Sequence, residues 1–365
     1  MRRGLLSWSE EEVPKSVLDA RVNRLQDLMR EEGLDAVIVY TNFPRPAAVS
    51  YLTHFIPYWS QGILLVGAGV APILIVSLSN RVKGWMEGTS HVGEVICTPN
   101  PGLKAAELIK ENADGKPRIG IVELPKFGAG LANPLRENLP GTVMEDATAL
   151  YAQARHPADE AEINLTTHAA QMAAAALDAG LASGSEQATA VISAVDGHAR
   201  EAAAEEAAVT IAPDLTRDAK FQRLEGPADL GERYAIRISL AYKGHWVRLA
   251  RSVIRDGEAP ESWAAAEAGF QELLSGLGDG GTLEQDLENW AGTLDGARLL
   301  VWTLEGVSGS HPLGVYWDQN NRHRMPPAGG LAILSLRLDL PGGPWLASAP
   351  LLLGDGEGGS SRALL

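Results

Sequence analysis

The sequence of 365 residues has very little cysteine, and its charge is strongly one-sided. Cys97 is the single cysteine, which excludes an internal disulfide framework and any metal site built from several cysteines. Lys and Arg number 31 against 46 Asp and Glu, for a formal net charge of −15. A general nucleic-acid binder needs basic surface to displace phosphate counterions, so we expect no nucleic-acid partner.

Long apolar runs are also missing. No run approaches the roughly 18 residues needed to cross a bilayer. The apolar stretch after Arg2 and Arg3 is too short for a signal peptide. These absences, with the lone cysteine, predict a cytoplasmic protein without a membrane partner. Hydrophobic residues still make up 45% of the chain, which is enough for ordinary cores.

Helical and strand patterns alternate over residues 1–150. Apolar residues recur at helical spacing over 17–32, and Gly33 is the residue type that ends a helix. A buried strand is predicted over 35–41. Further strands are predicted at 62–66, 72–78, 94–97 and 118–122, and helices at 103–112 and 131–138. The alternation is typical of a three-layer α/β domain.

The segment 155–353 has its helices and strands in separate blocks, which predicts an α+β domain. Two Ala-rich helices are predicted at 159–182 and 185–206. Strands are then predicted at 208–212, 234–241, 244–254, 299–304, 331–338 and 345–353, with helices at 261–274 and 283–294. The Gly-rich tail 354–365 is predicted to be mobile.

Residues 234–251 are predicted to form a β-hairpin whose turn is centred on Tyr242 and Lys243. This register places Arg237 directly opposite Arg248, on a face shared with Trp246. The other face is apolar, with Ile236, Ile238, Leu240, Val247 and Leu249.

Like charges that lie directly opposite each other destabilise a sheet, so the two arginines need a neutralising partner. One candidate is an anionic ligand, because a guanidinium binds carboxylate or phosphate with two hydrogen bonds. Lys220 and Arg251 would then assist. The other candidate is a protein carboxylate, such as Glu305 or Asp318.

His311 lies near serines in the sequence and seven residues before Asp318. A histidine within reach of an acid can act as a general base near neutral pH. The spacing alone does not establish Ser-His-Asp chemistry. A histidine that only makes structural hydrogen bonds is the alternative.

Four segments together resemble the creatinase, prolidase and aminopeptidase P family, which has the pita-bread fold. They are SYLTHF at 50–55, RHPADE at 155–160, the hairpin region 230–251 and GSHPLG at 309–314. The resemblance implies a creatinase-type N-terminal domain over 1–150, a pita-bread domain over 155–353 and a homodimer. In the family, the N-terminal domain overhangs the neighbouring subunit's active site. Tyr51 would therefore help line a dimeric pocket, with ordinary packing as the alternative.

The metal-binding positions of the family are changed here. The family binds two metal ions through two Asp, one His and two Glu. The matching positions hold Arg237, Arg248 and His311, and the two Glu positions fall near Ser335 and Ser348. Divalent cations need deprotonated oxygen or nitrogen ligands, so we expect neither a metal nor another cofactor. A metal site built from other residues remains the alternative.

The resemblance leaves two hypotheses for function. The creatinase branch breaks a guanidino C–N bond without metal by means of a histidine, whose position matches Lys220. The first hypothesis is a metal-independent enzyme for a small anionic, nitrogen-containing substrate, in which a buried Lys220 serves as base or nucleophile. Its catalytic residues would be His311, Lys220 and Asp318, and its substrate-binding residues Arg237, Arg248, Arg251, Trp246, Tyr51 and Ser335. The second is an inactive pseudo-peptidase that binds a peptide, metabolite or protein partner.

Overall fold

The chain forms two compact units that divide between His156 and Pro157 in a computed structural model. The structure describes residues 8–42, 45–56, 60–112, 115–224, 226–277, 283–308, 311–318, 328–354 and 360–365, with the backbone alone for 307–308 and 311–318. In these parts of the chain, no helix is both long enough and apolar enough to cross a lipid bilayer.

The first unit is built on a mixed six-stranded sheet with the strand order β4-β3-β2-β1-β5-β6. Its elements are α1 (Lys15–Glu32), β1 (Ala36–Thr41), α2 (Ala47–Thr53), β2 (Gly62–Gly67), β3 (Ile73–Val76), α3 (Lys83–Thr89), β4 (Glu94–Cys97), α4 (Pro101–Asn112), β5 (Arg118–Ile121), α5 (Ala129–Asn138), β6 (Val143–Asp146) and α6 (Thr148–Ala154). The predicted strands of this region are all present.

Helices cover both faces of this sheet, which confirms the three-layer arrangement. Val37 and Val39 of β1 pack on one side with residues of α1, α2, α3 and α6. Ile38 of the same strand packs on the other side with α4 and α5. Gly33 ends α1 in the left-handed conformation at φ 66°, as its residue type predicts.

The second unit is built on an eight-stranded sheet. Seven of its strands follow the order β11-β10-β12-β13-β9-β8-β7, and β14 pairs with β13. Its elements are α7 (Glu160–Ala182), α8 (Ala188–Glu201), β7 (Glu206–Ala212), β8 (Arg233–Tyr242), β9 (His245–Ile254), α9 (Glu261–Gly276), α10 (Leu283–Thr293), β10 (Arg298–Ser308), β11 (His311–Asp318), β12 (Leu331–Leu340), β13 (Gly343–Leu352) and β14 (Arg362–Ala363).

The four helices α7 to α10 pack on one face of this sheet. Ile238 and Leu249 lie among buried residues of α7 and α8, and Leu334 and Ala349 among buried residues of α9 and α10. Cross-strand pairing places all these strand residues on the same face, because alternate residues of a strand point the same way. The side chains of the intervening strand residues therefore point to the opposite face of the sheet.

Two of the predicted boundaries differ from the structure. The first unit continues past residue 150, because Tyr151 of α6 is fully buried in its core. The prediction of a mobile tail is wrong for residues 360–365. There β14 pairs with β13 and Leu364 is buried, so apolar contact and strand pairing hold this end of the chain.

The β8–β9 hairpin has a different register from the predicted one. Its turn is centred on Lys243 and Gly244, both with positive φ, at 47° and 82°. A two-residue turn of this hand matches the twist of the flanking strands, and glycine adopts it without strain. Arg237 consequently faces Ala250, and Arg248 faces Ser239. The predicted direct opposition of the two arginines is wrong.

Replacing Gly244 by alanine tests this turn. We expect Gly244→Ala to lower the free energy of unfolding by about 1–2 kcal/mol, because a Cβ is unfavourable at positive φ. The matched control is Gly197→Ala inside α8, where a Cβ meets no atom within 4 Å. That change should raise stability by about 0.5–1 kcal/mol. Denaturant unfolding measures both, and equal effects of the two changes would contradict the turn geometry.

Candidate functional site

The face of the second sheet opposite its helices carries a group of polar side chains. A continuous row of paired residues runs across four strands, from Arg237 through Ala250 and Ser348 to Ser335. Arg248 shares this face with Arg237, as the alternation in the sequence predicts. We call it the polar face; its polar members used below are Arg237, Ser239, Arg248, Glu305, Ser335, Arg337 and Ser348.

Arg248 forms an ion pair with Glu305 of β10, and its Nε donates to Ser239 Oγ at 3.0 Å. Both charged side chains are largely removed from solvent, with 16% of Arg248 and 1% of Glu305 exposed. An ion pair at this depth depends on both partners, because the loss of one leaves a buried charge. A protein carboxylate therefore neutralises Arg248, one of the two alternatives that the sequence left open.

This ion pair also shows that the sheet is curved. Strands β9 and β10 are separated by β13 and β12, which corresponds to about 14 Å in a flat sheet. The Nε of Arg248 is bonded to Ser239 of β8, while the Nη1 of the same side chain reaches Glu305 of β10. The two side chains cannot bridge a flat sheet from that position. The strands therefore curve around the polar face and bring β10 towards β9.

Arg237 is held by contacts of another kind. Its Nε donates to Thr210 Oγ1 of β7 at 3.1 Å, and its guanidinium lies 4.5 Å from the ring centre of Phe221. Cation–π contact of this geometry is favourable and leaves the edge of the guanidinium for polar partners.

The loop that leads to Phe221 is organised by Asp214. Its carboxylate accepts hydrogen bonds from the hydroxyl and the backbone N–H of Thr216, at 2.6 and 3.0 Å. The hydrogen bond from the Thr216 hydroxyl is the largest cause of the lowered pKa of Asp214, and the positive charge of Arg217 lowers this pKa further. Leu215 and Ala219 are buried in the same loop, so the chain that presents Phe221 is fixed by both polar and apolar contacts.

Ser335 and Ser348 face each other in the middle of the polar face. They are a cross-strand pair of β12 and β13, and Ser348 Oγ donates to Ser335 Oγ at 2.7 Å. Two hydroxyls bonded to each other are poor ligands for a divalent cation, which prefers carboxylates.

Arg337 belongs to the polar face, although the sequence analysis missed it. It follows Ser335 by two residues on β12 and pairs with Leu346 and Val301 on the neighbouring strands. Its buried Nε has no hydrogen-bond partner within the described residues. The alternation of strand residues that places Ser335 on this face could have identified Arg337 as well.

Two of the predicted site residues lie elsewhere. Arg251 faces Ile236, on the face covered by helices, and forms an ion pair with Asp178 of α7. Arg251 follows Arg248 by three positions, an odd offset, so the two side chains point in opposite directions. Lys220 is exposed, so the prediction that it is buried between arginines is wrong. It does precede Phe221, which stacks on Arg237.

Trp246 lies on the polar face, whereas Tyr51 lies in the core of the first unit. Trp246 is half-buried and points to the polar face opposite Ala241. Tyr51 is a buried core residue of the first unit, with the guanidinium groups of Arg21 and Arg155 at 4.4 and 4.7 Å from its ring centre. These contacts favour the packing role of Tyr51 over a pocket-lining role.

His311 and Asp318 are the first and last residues of β11, the edge strand beside β10. Their side chains lie outside the part of the chain that the structure describes. Within that part, no group of three or more His, Cys, Asp or Glu side chains is arranged to hold a metal ion. The polar-face side chains named above are guanidinium and hydroxyl groups, with Glu305 engaged by Arg248, and such a set does not fit a divalent cation.

The Arg248–Glu305 pair can be tested by comparison with an exposed pair. We expect Glu305→Gln to cost about 3–5 kcal/mol of unfolding free energy, because it leaves Arg248 without a counter-charge. The double variant Arg248→Met with Glu305→Leu should recover most of that loss, since it removes both charges.

The matched control is Asp339→Asn, which breaks the exposed ion pair with Arg298 on the neighbouring strand. It should cost less than about 1 kcal/mol. Thermal and denaturant unfolding provide the measurement. A Glu305→Gln variant as stable as Asp339→Asn contradicts the desolvated ion pair.

Comparison with known proteins supports this architecture. The sequence model of the Creatinase/Prolidase N-terminal domain matches residues 21–156. No curated protein sequence gives a match. Among solved structures, the prolidase from Pyrococcus horikoshii is similar, with a TM-score of 0.71, 15% identity and coverage of 94% of this chain and 97% of that one.

Two other solved structures are similar at the same level. The X-Pro aminopeptidase from Thermotoga maritima has a TM-score of 0.71 and 16% identity, and the match covers 94% of this chain and 96% of that one. Escherichia coli aminopeptidase P has a TM-score of 0.69 and 12% identity, with 98% and 95% covered. Residues 21–156 thus match the Creatinase/Prolidase N-terminal domain, and over nearly its whole length the chain has the pita-bread fold of these prolidase and aminopeptidase structures.

Proposed function

We propose that this chain is a metal-independent member of the pita-bread fold that acts on a small anionic, nitrogen-containing molecule held on the polar face. The observation that carries the proposal is the donor set of that face. Arg237 and Arg248 stand on neighbouring strands, Glu305 is engaged by Arg248, and Ser335 and Ser348 are bonded to each other. Cationic and neutral donors favour an anion and disfavour a divalent cation.

An anionic ligand is reasonable despite the overall charge of −15. Binding depends on the local potential rather than on the net charge, and among the polar-face residues named above three arginines stand against the single carboxylate of Glu305. Arginine is suited to such a position because its planar group stays charged and offers paired donors. The stacking of Arg237 on Phe221 orients one of these groups in advance.

The proposal that the substrate contains nitrogen rests on the similar solved structures. The solved structures include an Xaa-Pro dipeptidase and an X-Pro aminopeptidase, names that denote action on a C–N bond. We propose C–N bond hydrolysis, or related acid–base chemistry, without metal. His311 and Asp318 of β11 would supply the acid and base, with Lys220 as a further candidate on the loop of Phe221.

A second candidate is a binding protein without catalysis. Two observations favour it: Arg248 is neutralised inside the protein by Glu305, and Lys220 is exposed rather than placed among the arginines. In that case the polar face would bind the acidic part of a peptide, metabolite or protein partner. For either function we propose a cytoplasmic homodimer, as the family resemblance implies.

Elemental analysis tests the metal-independent character. Protein purified without chelators should contain far less than one equivalent of manganese, zinc or cobalt per chain. Addition of these ions, or of a chelator, should leave the melting temperature unchanged, because a bound metal stabilises the folded state. Stoichiometric metal with chelator-sensitive melting would show that other residues form a metal site.

A ligand screen separates the enzyme from the binding protein. Carboxylates, phosphates, amino acids and guanidino compounds are added singly, and the melting temperature and the ligand mass are followed. A ligand at 100 times its Kd stabilises the folded state by about 2.7 kcal/mol. Arg237→Met should abolish the shift, while Arg298→Met, at the exposed end of β10, should retain it.

The outcomes of the screen are distinct. A shift accompanied by a mass change in the ligand supports the enzyme. A shift without chemistry supports the binding protein. If no anionic compound stabilises the wild type, the proposed anion site is wrong.

A further inference from the structure

Two grooves border the helices α9 and α10, which pack on the sheet face opposite the polar face. The larger one, which we call the α9 groove, has a volume of about 480 Å³ and lies between the start of α9, the residues that follow α10 and the turn from β12 to β13. The smaller one, the α10 groove, has about 420 Å³ and lies between α10 and the start of β10. Both volumes are in the range of ligand-binding pockets. The connection from α10 to β10 contributes residues to both grooves, so they adjoin each other.

The α9 groove has apolar walls and an acidic rim. Its walls are formed by Pro260, Ala265, Leu294 and Pro341. Glu261 and Asp295 stand at the rim, and both are exposed. Neither carboxylate forms an ion pair with any residue in the described parts of the chain. A groove of this composition suits a cation that stands at the end of an apolar stem, as in arginine and lysine side chains.

The α10 groove has a related composition. Its floor includes the buried Trp302. Glu284 and Glu288 line the side formed by α10, because residues four apart share one side of a helix. Arg298 borders the same groove, and its charge is engaged by Asp339. The groove therefore offers carboxylates to a cation beside an apolar floor.

The negative charge extends beyond the two grooves. Residues 261–295 contain eight Asp and Glu and no Lys, Arg or His. Glu267 and Glu272 of this stretch are exposed on α9, although they line neither groove. A surface with one sign of charge attracts a partner of the opposite sign. Charge that is spread over two helices matches a partner with several positive charges better than a single small cation.

We propose that the two grooves bind a basic segment of a partner protein. One arginine of that segment lies in the α9 groove, with its stem against Leu294 and Pro341. Its guanidinium lies between Glu261 and Asp295, because the planar group donates to two acceptors at once. A second basic residue of the segment reaches Glu288 in the α10 groove. This surface is independent of the polar face, which lies on the other side of the sheet.

Isothermal titration of the full chain with an octa-arginine peptide tests the surface. The reference probe is the same peptide with citrulline, the uncharged analogue of arginine, at every position. At about 0.01 M salt, where charges are weakly screened, we expect the arginine peptide to bind at least about tenfold more tightly than the citrulline peptide. Binding should weaken as the salt is raised to about 0.15 M, because the contacts are between partly exposed charges.

Two double variants with the same change of charge separate the grooves from the acidic surface as a whole. Glu261→Gln with Asp295→Asn should weaken binding of the arginine peptide by about tenfold or more, because both rim charges are lost. Glu267→Gln with Glu272→Gln removes two charges of the same stretch outside the grooves and should weaken binding by about twofold or less. Both double variants should melt at the temperature of the wild type, because the substituted side chains are exposed.

Each contrary result has a definite meaning. Equal losses in the two double variants would show general attraction to acidic residues and would contradict the grooves as the binding site. Spermine is the probe for a small cation: if it binds more tightly than the peptide and depends on Glu261 and Asp295, the assignment to a protein segment is wrong. If the arginine peptide binds no better than its citrulline analogue, the proposed surface does not exist.

Discussion

The ion pair between Arg248 and Glu305 joins two strands that are not neighbours in the sheet. It requires the sheet to curve, and its burial makes each charge dependent on the other. The curvature brings Glu305 of β10 to Arg248 of β9, which also contacts Ser239 of β8. The hydrogen bond from Ser348 to Ser335 and the stacking of Arg237 on Phe221 both occur within that arrangement. One contact between distant parts of the chain thus links β8, β9 and β10 across the polar face.

The polar face is built on a fold that this chain shares with prolidase and aminopeptidase structures. The helices α7 to α10 support the sheet through apolar residues on its other face. Substitutions on the polar face do not disturb that core, because alternate residues of a strand are separated by the sheet itself. The side chains of this face can therefore be replaced while the helices stay in place. Fold similarity at 12–16% identity therefore says little about the reaction.

Sequence reasoning failed at particular residues for identifiable reasons. The register of the β8–β9 hairpin differs from the expected one because its turn residues are Lys243 and Gly244. The positive φ of Lys243 is not visible in a hydrophobic pattern. Arg251 is expected to assist Arg248, although strand alternation sends it to Asp178. The resemblance leaves Tyr51 either in a dimeric pocket or in ordinary packing, and the two arginines on its ring favour packing. Arg337 belongs to none of the family motifs, so only the alternation along β12 points to it.

The sequence by itself determined the two-domain organisation, most of the strands and helices, and the family resemblance, because these follow from periodicity, breakers and local motifs. It gave no sign of the short helices α2, α3 and α6 or of the strands β6, β11 and β14. It also determined that Arg237 and Arg248 share a face, since two strands of a tight hairpin leave few alternatives. Only the tertiary structure decided which partners these arginines take. Glu305 is 57 residues from Arg248, and Ser335 meets Ser348 through a register that the intervening chain sets. Contacts of that separation depend on how the whole sheet curves and packs, which no local pattern encodes.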